Sequence, residues 1–162
     1  MISTIKLPTV IPGKISVSSM PGRYSTISAF KNYLEDNMVS KIVSLTPCEE
    51  IQIKSPEYWN AIIKQELRAE IQHLPIEDYG VPDDWSAFYA LVADMAESVK
   101  KGDHVLVHCG GGIGRAGTFS ASMLLHLRIP RVTAIKLVHQ VGSSPQTPKQ
   151  RALVDWVAAQ VP

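Results

Sequence analysis

The chain is poor in cysteine and carries little net charge, and each shortage excludes a class of function. It has only two cysteines, Cys48 and Cys109, in 162 residues, too few for the disulfide framework of a small secreted protein. Sixteen Lys and Arg oppose fifteen Asp and Glu, so the net charge is +1. Because no strong positive field favours a polyanion, we expect no nucleic-acid partner.

Long apolar runs are also missing. The longest, residues 121–127, contains His126 and is far shorter than the ~20 residues that a membrane-spanning helix needs. The first thirteen residues contain Lys6, Pro8 and Pro12 and lack the apolar segment of a signal peptide. We therefore expect a cytoplasmic protein with no membrane partner.

Length and composition indicate one folded domain. A chain of 162 residues with 45% hydrophobic and 19% charged residues has the size and balance of a single globular domain. No repeat or low-complexity linker interrupts it. We expect one domain over residues 1–162, acting as a monomer.

Strand and helix patterns alternate along this domain. The strand patterns cover residues 14–18, 41–46, 70–76 and 104–108, and the helix patterns cover 27–38, 56–67, 82–100, 114–127, 131–140 and 147–160. The continuous apolar run HVLVH at 104–108 is typical of a strand buried on both faces. The alternation predicts an α/β fold, with a central, mostly parallel sheet of about four to five strands flanked by helices.

Ligands bind outside the carboxyl ends of the strands in such sheets. Three segments follow predicted strands and should converge there: residues 46–50, 77–84 and 109–115. The last two contain the residues that carry chemistry.

The segment HCGGGIGRAGT, residues 108–118, predicts an anion site. Its glycines let successive backbone N–H groups turn inward around an anion. Arg115 opens a helix and offers two parallel donors to phosphate-like oxygens. The expected anion-binding residues are Gly110, Gly111, Gly112, Ile113, Gly114 and Arg115.

Cys109 lies at the base of this predicted cradle. Inward N–H groups, the positive end of a helix and Arg115 all favour thiolate over thiol. The pattern therefore predicts a nucleophile that forms a cysteinyl-phosphate. We interpret His108 as a buried imidazole that hydrogen-bonds loop carbonyls and holds the backbone of Cys109, not as a general base.

Other interpretations of this segment stay open. A buried cysteine is often only a small apolar residue, and glycine-rich strand–helix turns also bind dinucleotides. The dinucleotide pattern, however, requires neither the cysteine nor the arginine. Sulfurtransferases and arsenate reductases also place a cysteine in a loop before a helix.

Phosphate transfer also needs an acid to protonate the leaving oxygen. Asp83 and Asp84 follow Pro82 in a predicted first helical turn, where acids are common because they complement the helix dipole. Asp78 lies in a loop just past a strand and has no helix to cap. We therefore predict Asp78 as the general acid, with Asp83 as the second choice, on a loop that either closes as a lid or is preset.

The pattern His-Cys, five residues, then Arg resembles the signature of the cysteine-dependent protein tyrosine phosphatases. The chain length is similar to their dual-specificity branch, and SMPGR, PIEDYGVPD, GGGIGR and PQTPKQ are similar to segments of the kinase-associated phosphatases. The resemblance implies Cys109 as nucleophile, Arg115 as phosphate clamp and Asp78 as general acid. It also implies a phosphorylated protein or peptide as substrate, and neither metal nor cofactor.

One position departs from this family pattern. The residue after the arginine is usually Ser or Thr, which stabilises the departing cysteine, and here it is Ala116. We expect hydrolysis of the intermediate to become a larger share of the barrier. Thr118 either compensates or bonds its own helix backbone. Gln150 fits the water-orienting glutamine of the family by spacing, with Gln146 nearby, and is otherwise a solvated first-turn residue.

Cys48 and the substrate leave alternatives open. Cys48 either forms a reversible disulfide with the nucleophile or is a lone thiol near the cleft.

Residues 110–114 include no basic side chain, which disfavours polyphosphorylated headgroups. We expect a shallow pocket with Tyr24 and Tyr79 as candidate rim residues. Trp85 is a further candidate, but its helical phase favours a place in the core. A phosphatase of small-molecule, lipid or nucleotide phosphates and a phosphopeptide-binding pseudophosphatase are the alternatives.

Overall fold

The computed structural model describes residues 1–162 and places five strands in one sheet. The strands are β1 (Ile2–Thr4), β2 (Lys14–Ser18), β3 (Val39–Ser44), β4 (Glu70–His73) and β5 (His104–His108). Their order across the sheet is β1-β2-β5-β3-β4. Only β1 is antiparallel to its neighbour, so the mostly parallel α/β sheet is confirmed.

Seven helices cover the two faces of the sheet. They are α1 (Ile27–Asp36), α2 (Cys48–Lys54), α3 (Pro56–Ile63), α4 (Trp85–Lys100), α5 (Gly114–His126), α6 (Arg131–Gln140) and α7 (Pro148–Gln160). None of them combines the length and the hydrophobicity needed to cross a bilayer.

The central strand β5 is buried between two layers of helices, one on each face of the sheet. Successive side chains of a strand point to opposite faces, and all five residues of β5 are buried. Val105 and Val107 pack into the larger apolar cluster with side chains of α4, α5, α6 and α7. Leu106 packs into the smaller cluster with side chains of α1, α2 and α3.

The strand order also determines where the predicted site lies. His108, the last residue of β5, pairs with Ser18 of β2 on one side and with Ser44 of β3 on the other. Cys109 therefore leaves the sheet between the carboxyl ends of two parallel neighbours. The segments that follow β2 and β3 lie on either side of it.

Two short elements were absent from the sequence predictions. β1 has three residues, too few to show a period. α2 occupies residues predicted only as a connection at the edge of the sheet. Its signals are those of a short helix, since Pro47 precedes it, Glu49 and Glu50 lie in its first turn and Lys54 in its last.

Two predicted helix boundaries were wrong for local reasons. α4 begins at Trp85 rather than Pro82, because the Asp84 side chain accepts a hydrogen bond from Ala87 N at 3.0 Å and caps the helix there. α3 ends at Ile63 rather than near Leu67, because Gln65 adopts a φ of 55° that a right-handed helix does not allow.

Gly117 allows the chain before α7 to pack directly on α5. A Cβ at position 117 would lie only 2.5 Å from Ser144 N. Gly117→Ala should therefore destabilise the fold by about 1–3 kcal/mol through overpacking. Helix propensity alone would stabilise it by roughly 1 kcal/mol. Urea unfolding measures the difference.

Gly111→Ala is the matched control, since a Cβ at position 111 meets nothing within 4 Å. It should leave the free energy of unfolding nearly unchanged. A Gly117→Ala protein as stable as wild type would contradict the packing argument.

Candidate active site

The predicted nucleophile lies at the bottom of a loop that joins the central strand to a buried helix. β5 ends at His108 and α5 begins at Gly114. Cys109 is 2% exposed, at the middle of the sheet's carboxyl edge. We call residues 109–115 the phosphate-binding loop.

The carbonyl groups of this loop are bonded to the protein around it. Gly110 O accepts hydrogen bonds from Met20 N at 3.2 Å and from Arg23 Nη1 at 2.9 Å. The carbonyls of Gly112, Ile113 and Gly114 accept from Ser143 Oγ, Ser144 N and Thr118 Oγ1 in turn. By contrast, no backbone N–H from Gly110 to Ala116 has a hydrogen-bond partner within the protein. Such a run of unpaired N–H groups is an anion-binding arrangement.

Two glycines are required by close packing. Gly112 has a φ of 76°, and a Cβ there would lie 2.8 Å from Ser18 C and Ser19 N. A Cβ at Gly110 would lie 2.6 Å from Glu50 Oε2. A side chain at position 112 would clash with the backbone of the segment after β2, whereas one at position 110 would displace the Glu50 carboxylate.

Arg115 is held by a carboxylate that the sequence analysis missed. Its Nη1 and Nη2 donate to the two oxygens of Glu50 at 2.9 and 3.0 Å, a bidentate pair. Nη1 also donates to Ile76 O at 2.8 Å, and Nη2 lies 3.2 Å from Asp78 Oδ1. The Nε–H of Arg115 has no partner. The guanidinium is thus fixed in direction, with its Nε–Nη2 edge facing the side of Asp78.

Burial and pairing oppose each other in this ion pair. Burial alone lowers the pKa of Arg115, but hydrogen bonding to Glu50 and the nearby charges raise it above its ordinary value. Burial alone raises the pKa of Glu50, but hydrogen bonds from Arg115 and Lys54 bring it below the ordinary 4.5. Both groups are therefore charged near neutral pH.

His108 is fully buried, and both of its ring nitrogens have hydrogen-bond partners. Burial lowers its pKa to about 4. Its Nδ1 lies 3.2 Å from Cys109 O, which only accepts, so Nδ1 carries the proton. Its Nε2 then accepts from Tyr58 Oη at 2.8 Å. The imidazole bridges α3 to the backbone of Cys109 and is too weakly basic to be charged at neutral pH.

Of the three candidate aspartates, only Asp78 reaches the site. It lies in a turn closed by a Gly80 N to Glu77 O bond of 2.9 Å, and its side chain is 54% exposed. Asp84 is the N-cap of α4. Asp83 is exposed and makes no hydrogen bond or ion pair with the phosphate-binding loop.

A pocket beside Cys109 and Arg115, which we call the catalytic pocket, is lined by Gln146 and not by Gln150. Gln150 is fully buried, its Oε1 accepts from Gln146 N at 2.7 Å, and its Nε2 donates to Gly80 O at 3.1 Å. The expectation that Gln150 orients water does not fit an amide committed at both ends. The spacing Thr147-x-x-Gln150 is a capping-box signal that could have identified it as an N3 residue of a helix.

Neither Thr118 nor Ala116 offers a free hydroxyl to a departing thiolate. Thr118 Oγ1 donates to Gly114 O at 2.7 Å, so its proton is committed to its own helix. Ala116 is fully buried in the first turn of α5 and has no hydroxyl. The structure therefore supports the second interpretation of Thr118, as a helix threonine bonded to its backbone.

The catalytic pocket has a volume of about 190 Å³. Two cationic side chains from outside the phosphate-binding loop also line it. They are Arg23, from the segment after β2, and Lys54, from α2. Tyr79 also lines it and is 61% exposed, as expected for a rim residue. Trp85 instead packs against Trp156, with ring centroids 5.6 Å apart.

Cys48 is the first residue of α2, partly exposed, and both thiols are unpaired. It is not among the side chains that line the catalytic pocket. No three side chains of His, Cys, Asp or Glu are grouped as metal ligands would be.

Comparison with curated proteins identifies relatives among phosphatases. The chain is 26% identical to human tyrosine-protein phosphatase non-receptor type 7 over 144 residues, 68% of this chain and 40% of that protein. It is 38% identical to rat cyclin-dependent kinase inhibitor 3 over 55 residues, 34% of this chain and 26% of that protein. An uncharacterized protein of Methanocaldococcus jannaschii is 32% identical over 92 residues, 55% of this chain and 58% of that protein. The matches thus cover from about a quarter to about three fifths of the length of these relatives.

Solved structures share the fold over nearly the whole chain. Kinase-associated phosphatase, with its catalytic-site cysteine replaced by serine, has a TM-score of 0.82 at 20% identity, covering 99% of this chain and 95% of that one. The phosphatase PTPMT1 in complex with PI(5)P has a TM-score of 0.74 at 15% identity, covering 94% of each chain.

A family model settles the relationship. It describes a Swiss Army Knife protein with a DSP-PTPase phosphatase domain and matches residues 6–154. That range includes the pocket-lining residues Asp78, Cys109, Arg115 and Gln146, together with Glu50, which pairs with Arg115. The chain belongs to this family of dual-specificity-type phosphatase domains within the protein tyrosine phosphatase superfamily.

Proposed function

We propose that this protein hydrolyses phosphate monoesters on the tyrosine and the serine or threonine side chains of proteins, through a cysteinyl-phosphate intermediate. The observation that carries the proposal is the run of unpaired N–H groups from Gly110 to Ala116, with Cys109 at its base and Arg115 beside it. Backbone N–H groups and a fixed guanidinium stabilise the charge of a transferring phosphoryl group without a metal ion.

In the first step, the thiolate of Cys109 attacks phosphorus and the bond to the ester oxygen breaks. The oxygens that stay on phosphorus accept from the loop N–H groups and from the Nε–Nη2 edge of Arg115. Asp78 Oδ1 lies 3.2 Å from Nη2 in the free protein and occupies the place of a phosphate oxygen. A bound phosphate displaces it, and Asp78, after taking up a proton from solvent or from the monoanionic ester, turns and gives that proton to the leaving oxygen.

In the second step, water attacks the cysteinyl-phosphate and the P–S bond breaks, which releases inorganic phosphate and the Cys109 thiolate. Asp78, now a carboxylate, accepts the proton of the water. Gln146 takes the water-orienting role, because it is the glutamine whose side chain lines the pocket. Ala116 supplies no hydroxyl to the departing thiolate, so we expect this step to be slow.

A second cavity, which adjoins the catalytic pocket, supports a peptide substrate. It measures about 310 Å³ and shares Gly111 and Ile113 with the catalytic pocket. Tyr24 and Val141 also line it, and Tyr24 is 67% exposed. This surface offers apolar contact to a residue next to the phosphorylated one, as peptide recognition requires.

Hydrolysis of aryl phosphates tests the catalytic assignments. Cys109→Ser should abolish turnover, because no thiolate remains. Asp78→Asn should lower kcat/KM by about 100- to 1,000-fold for an ester of a weakly acidic phenol, and hardly at all for an ester of a strongly acidic one, which leaves without a proton. Asp83→Asn should match wild type.

This experiment tests the assignments of Cys109 and Asp78 independently. Turnover by Cys109→Ser would contradict the whole mechanism. If Asp83→Asn instead of Asp78→Asn showed the leaving-group effect, only the choice of acid would be wrong.

Glu50→Gln tests whether the fixed direction of Arg115 matters. It should lower kcat/KM by about 10- to 100-fold, the equivalent of one charge-assisted hydrogen bond. The pKa of Glu50 is below 4.5, so the carboxylate partner is present above that pH and is lost as the pH falls through its lowered pKa. The difference between wild type and Glu50→Gln should therefore shrink below about pH 4.5.

Glu49→Gln is the matched control, since Glu49 is exposed on the same helical turn and makes no ion pair. Steady-state kinetics from about pH 3 to 7 extend well below the ordinary carboxyl pKa and cover the relevant range. Equal activities of the two variants would exclude the clamping role of Glu50.

A phosphoinositide is the second candidate substrate, because Arg23 and Lys54 line the pocket beside Arg115 and offer positive charge to a second phosphate. The proposal predicts a kcat/KM for phosphopeptides more than about tenfold above that for short-chain phosphoinositides. The reverse ranking, with a larger loss for the lipid in Lys54→Ala than for a simple aryl phosphate, would favour the lipid.

A further inference from the structure

The side chain of Gln150 joins two of the segments that border the catalytic pocket. It is fully buried. Its Oε1 accepts from Gln146 N at 2.7 Å and Thr147 N at 3.3 Å, and its Nε2 donates to Gly80 O at 3.1 Å. An amide side chain has one accepting oxygen and one donating nitrogen, and both are used between the start of α7 and the segment after β4.

Gly80 closes the turn that carries the proposed general acid. Gly80 N donates to Glu77 O at 2.9 Å, which places Asp78 and Tyr79 at the two central positions of a β-turn. Tyr79 has a φ of 63°, as the second central position of a type II turn requires. The hydrogen bond from Gln150 Nε2 to Gly80 O therefore holds the last residue of the turn that contains Asp78.

Few other contacts hold this turn. The side chains of Asp78 and Tyr79 are 54% and 61% exposed. Asp78 Oδ1 accepts from Tyr79 N at 3.0 Å, within the turn itself. Its remaining contact is the 3.2 Å approach to Arg115, which a bound phosphate would replace. The bond from Gln150 is then the polar contact left between the turn and the rest of the site.

We propose that Gln150 is a positioning residue, which holds the Asp78 turn against the pocket so that the general acid is in place before substrate binds. This inference rests on the proposed function. The turn is preset rather than a lid, and only the side chain of Asp78 rotates when phosphate arrives. Gln150 itself touches neither substrate nor the reacting atoms.

The same side chain also serves the second step. Gln150 Oε1 fixes the backbone of Gln146, whose side chain lines the catalytic pocket and lies against Gly114. One buried amide therefore positions both Asp78, which acts in both steps, and Gln146, which orients the water in the second.

Gln150→Met tests the proposal, because methionine has a similar length and neither of the two polar groups. The measurement is kcat/KM over a series of aryl phosphates whose phenols range from strongly to weakly acidic. We expect a loss of about tenfold or more for the weakly acidic phenols and less than about threefold for the strongly acidic ones, the pattern of a misplaced general acid. In an Asp78→Asn background, Gln150→Met should add less than about twofold, because kcat/KM reports the first step, in which Gln150 acts only through Asp78.

Thr147→Val is the matched control. It removes the side-chain cap that accepts from Gln150 N at 3.2 Å and leaves the bond to Gly80 in place. Any effect on kcat/KM should be the same for all leaving groups. An equal loss for all leaving groups in Gln150→Met, or a full additional loss in the Asp78→Asn background, would overturn the proposal.

Hydrogen exchange gives a readout that does not depend on activity. The Gly80 amide, which bonds Glu77 O, should exchange faster in Gln150→Met than in wild type and Thr147→Val. Gln150→Glu keeps an oxygen that accepts from Gln146 N and Thr147 N but loses the N–H that donates to Gly80 O. This variant replaces Gln150→Met if the methionine protein does not fold. Unchanged exchange at Gly80 would refute the proposal, whereas faster exchange in a protein without Cys109-dependent turnover would refute the proposed function instead.

Discussion

The direction of the peptide groups between Cys109 and Ala116 is the constraint on which the rest of the site depends. The carbonyls of this loop are bonded outward to the segment after β2 and to the segment before α7. The N–H groups from Gly110 to Ala116 have no protein partner and are therefore available to an anion beside the nucleophile. Gly112, with its φ of 76°, allows the chain to make this turn in contact with Ser18 and Ser19.

The positive charge at this site is local, since Arg115, Arg23 and Lys54 line the pocket in a chain whose net charge is only +1. A guanidinium that is 2% exposed would be costly without a partner, and Glu50 supplies a bidentate one from α2. The pair lies directly against Gly110, where a Cβ would come within 2.6 Å of Glu50 Oε2 and 3.0 Å of Arg115 Nη2. Backbone geometry and ion pairing therefore depend on the same close contact.

The sequence was sufficient for those parts of the site that lie close together in the chain. The run HVLVH followed by glycines predicted β5, the loop and α5, because local apolar pattern and local turn chemistry determine them. Glu50 was out of reach, since its partner Arg115 lies 65 positions away and α2 is too short to show a period. Gln146 and Gln150 both lie near the start of α7, and the capping-box spacing Thr147-x-x-Gln150 was the one sequence signal that could have distinguished them.

The central claim, a phosphoryl group carried on Cys109, is tested most directly by trapping it. Wild-type protein mixed with an aryl phosphate and quenched in acid during turnover should carry one phosphoryl group on the peptide that contains Cys109, and Cys109→Ser should carry none. Mass analysis of the quenched peptides identifies the site. Steady turnover with no phosphoryl group on Cys109, or with the group on another residue, would contradict the account.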